Sequence, residues 1–473
     1  LNTIKELFKG NKQLFEGLYI YDKWDWSKTY PIIHLDFSVT DYSTPKELKS
    51  SLNKFIELTA RNNGVMIDEG LLLPMKFADL IKKLREKTGN QVVILVDNYD
   101  KPLLDNFNNE NIYLEIKKIL HNFYQVVKAE NINEKFVFLT GVSRFTDLSI
   151  FSGLNNLNDI SMNYKYLTIC GYTQEELENN FLEYIEYICK SLETSYDKVL
   201  DTMRMWYGGY SWDGRTFVYN PFSILLFLDK KEFQEYWVKT EISTFLMEQI
   251  KKKNNLTYFI KSQKITGNFL RVNVNNNIEI MTLLFQIGYL TIKKKKMEKD
   301  GSVQYNLDFP NMEVKVALLG NLMKEYSFRE LIEIYEINKK IIKALKERNS
   351  NSLQKSLVEL FANTFYDLIV KKRLYYHFLF LFALRLGGFE VEGEDIYIDN
   401  ERISMLLKKG SDIIIIEIKS GKEKPANKMA KEAMKQIKNK KYFEKYILDN
   451  NVTLLAVAFG NKREVSCHFQ TIS

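Results

Sequence analysis

One short apolar run constrains the fold of this 473-residue chain more than any other stretch of its sequence. Residues 92–96 are all apolar, and Asp97 follows them at once. Such a run is typical of a central strand in a parallel sheet, because helices cover both faces of that sheet. Open α/β sheets bind their ligands at the carboxyl ends of these strands. The run therefore predicts an α/β domain with Asp97 at its ligand-binding edge; a buried strand that ends in a turn aspartate is the alternative.

Two polar side chains are expected beside Asp97. In nucleotide-hydrolysing sheets an aspartate at this edge holds the Mg²⁺ that bridges the phosphates, and a second acid commonly follows it to polarise the attacking water. Asn98 occupies that second position, and its amide cannot accept a proton. A second apolar run, residues 136–139, ends in Thr140, whose hydroxyl could contact the γ-phosphate or the water. The pattern predicts a nucleotide and Mg²⁺ site of Asp97, Asn98 and Thr140, on a Walker B-like strand that lacks its base.

Five further motifs lie before and after these two strands in the chain. They are YPIIHLDFS (30–38), MWYGGY (205–210), VYNPFSILLFL (218–228), LLFQIGYLTIK (283–293) and LDFPNMEVK (307–315). With the two strands, and in the same order, they resemble the AAA-ATPase-like family whose members carry a C-terminal PD-(D/E)XK nuclease domain. The resemblance implies a P-loop-NTPase-like (ASCE) parallel sheet core, ATP and Mg²⁺ as cofactors, and ATP-driven action on DNA.

The glycine-rich phosphate loop of that family has no match in the sequence. No GxxxxGK[ST] string occurs among the 473 residues, residue 1 is Leu, and residues 1–10 are similar to the helix that follows the loop. We expect the chain to start just downstream of Walker A, as a fragment, a truncated gene product or a decayed copy. Because backbone amides of that loop cradle the phosphates, we expect weak or no binding of ATP and Mg²⁺.

The C-terminal third contains a second candidate site. Residues 413–421 predict a buried strand that carries Glu417 and Lys419 two residues apart. The period of two along a strand puts both side chains on the same face. A carboxylate that can bind a divalent metal would then lie beside an ammonium that can orient water. This arrangement is the ExK half of a PD-(D/E)XK nuclease.

Helices are predicted on both sides of this strand. The first covers residues 375–390, and the second covers residues 433–446. The second resembles the Gln-x-x-x-x-x-Tyr helix of the family, with Gln436 and Tyr442 in the matching positions. The resemblance implies that Gln436 supports the catalytic pair.

The metal-binding aspartate of the family has no counterpart on the preceding strand. Where a Gly-Arg-Ile-Asp-like string is expected, the sequence has Glu-Arg-Ile-Ser, so that Ser404 replaces the acid. A hydroxyl brings no charge to a hard cation. The nearest carboxylates, Asp399 and Glu401, are expected on the opposite face of the strand. We therefore expect Glu417 alone to bind metal weakly and nuclease activity to be impaired.

Positive charge is concentrated at the C-terminal end. Residues 401–473 contain 15 Lys and Arg against 8 Asp and Glu, whereas the other 400 residues contain 52 of each sign. A basic segment attracts polyanions and is typical of a surface that binds nucleic acid. The sequence therefore predicts DNA as a partner; a solvated lysine-rich helix face is the alternative.

The cysteines and the lengths of the apolar runs indicate where in the cell the protein is expected. The three cysteines are scattered and odd in number, which favours a reduced, cytoplasmic protein; they are Cys170, Cys189 and Cys467. No apolar run approaches the ~18 residues of a membrane span, so no membrane association is expected. The sequence gives no indication of the oligomeric state.

The combined patterns predict an α/β multidomain chain. We expect an AAA-ATPase-like core at 1–165, a helical lid at 166–255, a winged-helix-like unit at 256–335 and a restriction-endonuclease-like α/β domain at 336–473. A hairpin is expected within the third domain.

Two histidines, His34 and His377, lie on predicted elements near the candidate sites. His34 shares a strand face with Asp36, and a metal pair is conceivable, but a core histidine is the expected role. His377 lies on the predicted helix that leads into the nuclease-like domain and could face a metal cleft. A packing or surface role is the expected one for His377 as well.

The function predicted from the sequence is that of a truncated AAA-ATPase-like protein fused to a degenerate PD-(D/E)XK nuclease-like domain. We expect it to associate with DNA and to be catalytically impaired in this form. Two alternatives stay open: an active Mg²⁺-dependent nuclease with a migrated metal carboxylate, and a non-enzymatic DNA-binding or interaction protein. Metal titration separates these alternatives.

Overall fold

The chain folds into two compact units. The first comprises residues 1–160 and 268–287, and the second comprises residues 161–267 and 288–473. The computed structural model describes residues 1–40, 42–142, 150–151, 156–237, 246–247, 249–250, 259, 263–266, 280–363, 375–392, 396–397, 402–421, 424–440, 443–444, 446–447, 451–460 and 464–472.

Helices precede and separate the strands of the first unit, and the second unit ends in strands that one helix interrupts. The helices are α1 (Asn2–Phe8), α2 (Pro45–Asn62), α3 (Leu73–Thr88), α4 (Lys101–Asp105), α5 (Glu110–Ala129), α6 (Gln174–Ser191), α7 (Tyr196–Tyr207), α8 (Pro221–Lys230), α9 (Ile280–Gln286), α10 (Met312–Ser327), α11 (Leu331–Lys346), α12 (Ser350–Phe361), α13 (Tyr375–Leu386) and α14 (Ala426–Lys440). The strands are β1 (Ile32–Asp36), β2 (Val92–Asp97), β3 (Glu134–Leu139), β4 (Gln263–Thr266), β5 (Thr291–Met297), β6 (Val303–Asp308), β7 (Glu390–Glu392), β8 (Ile396–Tyr397), β9 (Arg402–Lys409), β10 (Asp412–Ser420), β11 (Asn451–Phe459) and β12 (Val465–Ile472).

The first unit is built on a parallel sheet in the order β1-β2-β3. Residues 92–96 of the central strand are at most 1% exposed, which confirms the buried parallel strand predicted from the apolar run. Helices α3 and α5 pack against each other through Phe77 and Phe123, whose rings stack with centroids 4.3 Å apart. The strands predicted from the apolar runs at 92–96 and 136–139 are confirmed as β2 and β3, to within two residues at each end.

The helical part of the second unit has an aromatic core. Tyr207, at the end of α7, is fully buried and packs against Phe227 and Phe233. Within the motif at 205–210, Tyr207 is therefore a core residue. Helix α6 begins with a reciprocal capping box between Thr173 and Glu176.

A three-stranded antiparallel sheet follows, in the order β4-β6-β5. The predicted hairpin corresponds to β5 and β6 and is confirmed. Gly209 packs against the loop after β6 with φ at +86°, and a Cβ at this position would lie 2.3 Å from the carbonyl oxygen of Pro310. Only glycine fits both the left-handed backbone and this close approach.

The C-terminal sheet has the order β12-β11-β10-β9-β7, and β8 pairs with β9. The predicted strand at 413–421 is confirmed as β10. The predicted helix at 375–390 is too long, because Gly387 and Gly388 follow the end of α13 and Gly388 adopts a φ of +84°. The helix predicted at 433–446 begins earlier, at Ala426, and residues 443–444 and 446–447 form turns rather than helix.

In the part of the chain that the structure describes, no helix is long and apolar enough to cross a membrane. The three cysteines are unpaired, and they differ in exposure: Cys170 is exposed, Cys189 is intermediate and Cys467 is buried.

Candidate functional site

The carboxyl ends of β1 and β2 bring two carboxylates together. Asp36 is the register partner of Asp97, and both are the last residues of neighbouring parallel strands. In-register residues of adjacent strands point to the same face of a sheet. Asp97 also accepts a 2.5 Å hydrogen bond from the hydroxyl of Thr140, at the end of β3. The structure therefore brings Asp97 and Thr140 together at this edge and adds Asp36.

The side chain of Asn98 lies at the same edge of the sheet as Asp36 and Asp97. Its φ of 53° is left-handed, a conformation that asparagine tolerates better than most residues. Its side chain donates a hydrogen bond to Asp36, and its backbone N–H donates to Asp97 Oδ1 at 3.1 Å. The amide that replaces the expected acid is thus a hydrogen-bond donor to a neighbouring carboxylate.

The ionisation of Asp36 is set by opposing effects. Burial raises its pKa, but hydrogen bonds from the backbone N–H and hydroxyl of Ser38 and from Asn98 hold the pKa below its ordinary value. Hydrogen bonds to the ionised form always favour that form. Asp36 is therefore a carboxylate over the neutral range.

A buried aspartate that the sequence analysis missed supports the same edge. Asp100 is fully buried and accepts a hydrogen bond from the backbone N–H of Val142 at 3.1 Å. A Cβ at Gly141 would lie 2.6 Å from Asp100 Oδ1 and from the Tyr99 ring. The loop after Thr140 is therefore held against Asp100. The signal in the sequence was a second aspartate three residues after Asp97.

His34 lies on β1, two residues before Asp36. It is partly buried, its Nε2 has no hydrogen-bond partner among the described residues, and burial lowers its pKa. In the described part of the chain, no three His, Cys, Asp or Glu side chains lie close enough together to hold a metal ion. The metal pair considered for His34 and Asp36 would therefore need a ligand from elsewhere.

The second site lies on the C-terminal sheet. Ser404 on β9 and Glu417 on β10 are direct partners in the antiparallel ladder, and Ala456 on β11 continues the same row. Glu417 is only 1% exposed. The register therefore puts Ser404 where a second carboxylate would face Glu417.

Helix α14 covers this row of the sheet. The side-chain amide of Gln436 donates a hydrogen bond to Glu417. Lys419 lies with Nζ 3.8 Å from Oε2 of Glu432, and Lys424 lies 3.0 Å from Oε1 of the same carboxylate. The structure brings Glu417, Lys419 and Gln436 together, and the sequence analysis missed Glu432. Its signal was the spacing of four residues before Gln436, which puts both side chains on one helix face.

Some predicted positions cannot be placed. Tyr442 and residues 399–401 lie outside the described residues. The side chain of His377, on α13, also lies outside them, as does the side chain of Ser404, whose backbone register is described.

The side chains around Glu417 determine whether a divalent metal ion can bind there. Hard cations such as Mg²⁺ prefer several charged oxygen ligands. The described side chains give Glu417 an amide partner in Gln436 and no carboxylate partner on the neighbouring strand position. They do not form a two-carboxylate metal site on the sheet itself.

The chain is a mixed α/β multidomain protein, with a parallel sheet in its first unit and a C-terminal sheet whose strand β10 carries Glu417 and Lys419. Residues 1–151 match the AAA-ATPase-like family, described as Predicted AAA-ATPase. Residues 372–469 match the PD-(D/E)XK nuclease superfamily. The chain belongs to the family of AAA-ATPase-like proteins with a C-terminal PD-(D/E)XK nuclease superfamily domain.

A relative extends this match over almost the whole chain. It is a protein of Azotobacter chroococcum mcd 1 described as "Uncharacterized protein in vnfD 5'region". The two are 32% identical over 467 residues, which is 97% of this chain and 87% of the relative. The two domains and the region between them are therefore shared as one architecture.

Proposed function

We propose that this protein is a DNA-associated member of its family in which both chemistries are impaired in the present form. The observation that carries the proposal is the pairing of Ser404 with Glu417 across β9 and β10. The strand position that faces the buried carboxylate holds a neutral residue. Two charged oxygens at this place would be needed to bind Mg²⁺ tightly.

The ATPase part of the proposal rests on Asn98. Bound Mg-ATP would supply the reactive phosphate, Asp97 would hold the metal, and Thr140 would lie beside them. A general base typically contributes a factor of ~10²–10⁴ to the rate. Asn98 cannot act as that base, and its hydrogen bond to Asp36 orients it as a donor. We therefore propose that hydrolysis is slow even where nucleotide binds.

The nuclease part rests on the charges around Lys419. In an active site the ammonium of Lys419 would orient or activate water beside a metal held by Glu417. Here Lys419 lies within ion-pair distance of Glu432, which also holds Lys424. The lysine is already paired, and the facing strand position lacks an acid. Both features support weak cleavage.

The same ion pair also favours an alternative. Glu432 is a carboxylate one helical turn from Gln436, and Gln436 contacts Glu417. It could serve as the migrated metal carboxylate of an active Mg²⁺-dependent nuclease. A non-enzymatic DNA-binding or interaction protein is the third candidate, supported by the basic C-terminal segment.

Cleavage of duplex and single-stranded DNA with Mg²⁺ or Mn²⁺ tests the proposal. The wild type is expected to cleave no faster than Glu417→Ala. Robust cleavage by the wild type that disappears in Glu417→Ala would replace the proposal with the active nuclease. In that case Glu432→Gln decides whether the migrated carboxylate is Glu432. The control is Glu336→Gln. Glu336 is exposed on α11, away from α14, and forms an ion pair with Lys339 of the same helix.

We also propose the domain limits that the sequence predicts. These are the ATPase-like core at 1–165, a helical lid at 166–255, a winged-helix-like unit at 256–335 and the nuclease-like domain at 336–473. Helices α6–α8 support the lid, and the β4-β6-β5 sheet supports the winged-helix-like unit.

A further inference from the structure

Helix α14 has two sharply different faces. Its buried face packs against the C-terminal sheet and is formed by Ala426, Met429, Ala430, Ala433 and Ile437. The opposite face carries exposed lysines at intervals of three and four residues, which place them in one row along a helix. We call these residues the α14 lysine stripe: Lys428, Lys431, Lys435 and Lys438. At 1.5 Å per residue the stripe is about 15 Å long.

The charge of the stripe is only partly offset within the described part of the chain: Glu432, four residues after Lys428, attracts it but forms its close ion pair with Lys424. None of its four lysines forms an ion pair with a described carboxylate, whereas nearby Lys424 is paired with Glu432. Helix α11 provides a contrast, because three of its exposed lysines have acidic partners. The pairs are Lys339 with Glu336, Lys340 with Glu359, and Lys343 with Glu347. The positive field of α14 therefore extends into solvent, unlike that of α11.

The stripe lies next to the candidate nuclease site. Glu432 follows Lys431 directly, and Gln436 follows Lys435 directly. Successive residues are turned by about 100° around a helix, so the site residues flank the stripe on one side. A polyanion that lies along the stripe would therefore pass beside Gln436 and the Glu417 that it contacts.

We infer that the α14 lysine stripe binds the phosphate backbone of a nucleic acid and guides it past Glu417 and Lys419. This inference deepens the proposed function and rests on its DNA-binding part. A row of four exposed lysines along one helix face matches the repeated negative charge of a phosphate backbone. An anionic membrane fits less well, because the apolar face that an interfacial helix would insert is buried against the sheet.

Salt-dependent binding to a fluorescein-labelled DNA duplex, followed by fluorescence anisotropy, tests the inference on the full chain. The test variant is Lys428→Gln/Lys431→Gln/Lys435→Gln. The control is Lys339→Gln/Lys340→Gln/Lys343→Gln on α11, which removes the same number of charges. Glutamine is nearly as good a helix former as lysine, so both helices should persist. Circular dichroism and melting temperature verify that both variants fold.

The test variant is expected to lose affinity while the control retains it. Each lysine that contacts a phosphate adds about one unit to the slope of log K against log salt, so the slope should fall by about three. Affinity at low salt should fall at least about tenfold. Arginine at the same three positions should preserve binding, because it keeps the charge.

The remaining outcomes separate the two proposals. If the wild type does not bind DNA, the proposed DNA association fails and this inference fails with it. If the wild type binds and the α14 variant binds equally well, the inference alone is overturned. If the α11 control loses as much affinity as the α14 variant, net charge rather than the stripe determines binding, and the inference is again overturned.

Discussion

Ser404 and Glu417 are paired residues in the antiparallel ladder between β9 and β10, and one of them is a buried carboxylate while the other carries no charge. At this register position, the described strands therefore offer one carboxylate rather than two. The pairing also identifies the substitution that would supply the second.

Ser404→Asp is expected to create a divalent metal site opposite Glu417. Without metal, two carboxylates directly opposite each other repel, and the variant should melt below the wild type. With Mn²⁺ it should gain more than the wild type, because a ligand that binds only the folded state stabilises it. At 100 times the dissociation constant this gain is about 2.7 kcal/mol. The measurement is melting temperature against Mn²⁺ concentration.

Ser404→Asn is the matched control, since it introduces an amide of the same shape without a charge. Equal Mn²⁺ responses of the Asp and Asn variants would contradict the predicted site.

Asn98→Glu is expected to destabilise the first unit near neutral pH. The substitution replaces a hydrogen-bond donor to Asp36 with a second carboxylate, and the lowered pKa of Asp36 keeps it ionised there. We expect a loss of about 1 kcal/mol in the free energy of unfolding, the usual contribution of one such hydrogen bond. Chemical denaturation at pH 7 measures it.

Asn98→Gln is the control for Asn98→Glu. Glutamine keeps the amide, and like glutamate it adopts the left-handed backbone conformation of residue 98 less readily than asparagine does. If the two variants are equally stable, the contact between Asn98 and Asp36 has no energetic role. Because the folded-state pKa of Asp36 is lowered, its stabilising effect should also fade in the wild type as the pH falls through that pKa.

Glu134→Gln is expected to stabilise the protein at alkaline pH. Burial, with a further contribution from Glu130, raises the pKa of Glu134 to about 8. Its Oε1 is buried without a hydrogen-bond partner in the described structure. A raised folded-state pKa means that stability is complete below the unfolded value and is lost as the pH rises towards 8.

The glutamine variant removes this titration. Its melting temperature should match the wild type near pH 4.5 and exceed it at pH 8.5 by about 2–4 °C, which corresponds to about 1 kcal/mol. Glu57→Gln, an exposed carboxylate on α2, is the control. A pH-independent difference between Glu134→Gln and wild type would be inconsistent with a buried titrating group.

Glu313→Ala is expected to be among the more destabilising substitutions in the second unit. The fully buried carboxylate accepts hydrogen bonds from the hydroxyl of Ser223 at 2.7 Å and from the backbone N–H groups of Tyr236 and Trp237 at 2.6 and 2.7 Å. Its loss leaves buried donors unsatisfied, at about 1–3 kcal/mol each. Urea unfolding should show a loss of several kcal/mol.

Glu313→Gln retains one acceptor oxygen and should lose less than half as much stability as the alanine variant. A Glu313→Ala protein as stable as the wild type would mean that water replaces the carboxylate at these donors.

Local patterns in the sequence were sufficient for most of the individual elements. The apolar runs before Asp97 and before Glu417 each depend on residues close together in the chain, and each corresponds to the expected strand. The ends of helices were less certain. Helix α14 starts seven residues before the predicted position, because an alanine-rich turn after Pro425 extends it.

The sequence by itself therefore determined the strands β2, β3 and β10, the hairpin of β5 and β6, the two family domains and the residues at the end of β2 and along β10. Only the tertiary structure decided that Asp36 would be the register partner of Asp97, that Asn98 would donate to Asp36 and that Glu432 would contact Lys419. The physical reason is the sequence separation over which each interaction acts. Strand and helix periodicity act over neighbouring residues, whereas the register between distant segments is set by the packing of the whole sheet and its covering helices.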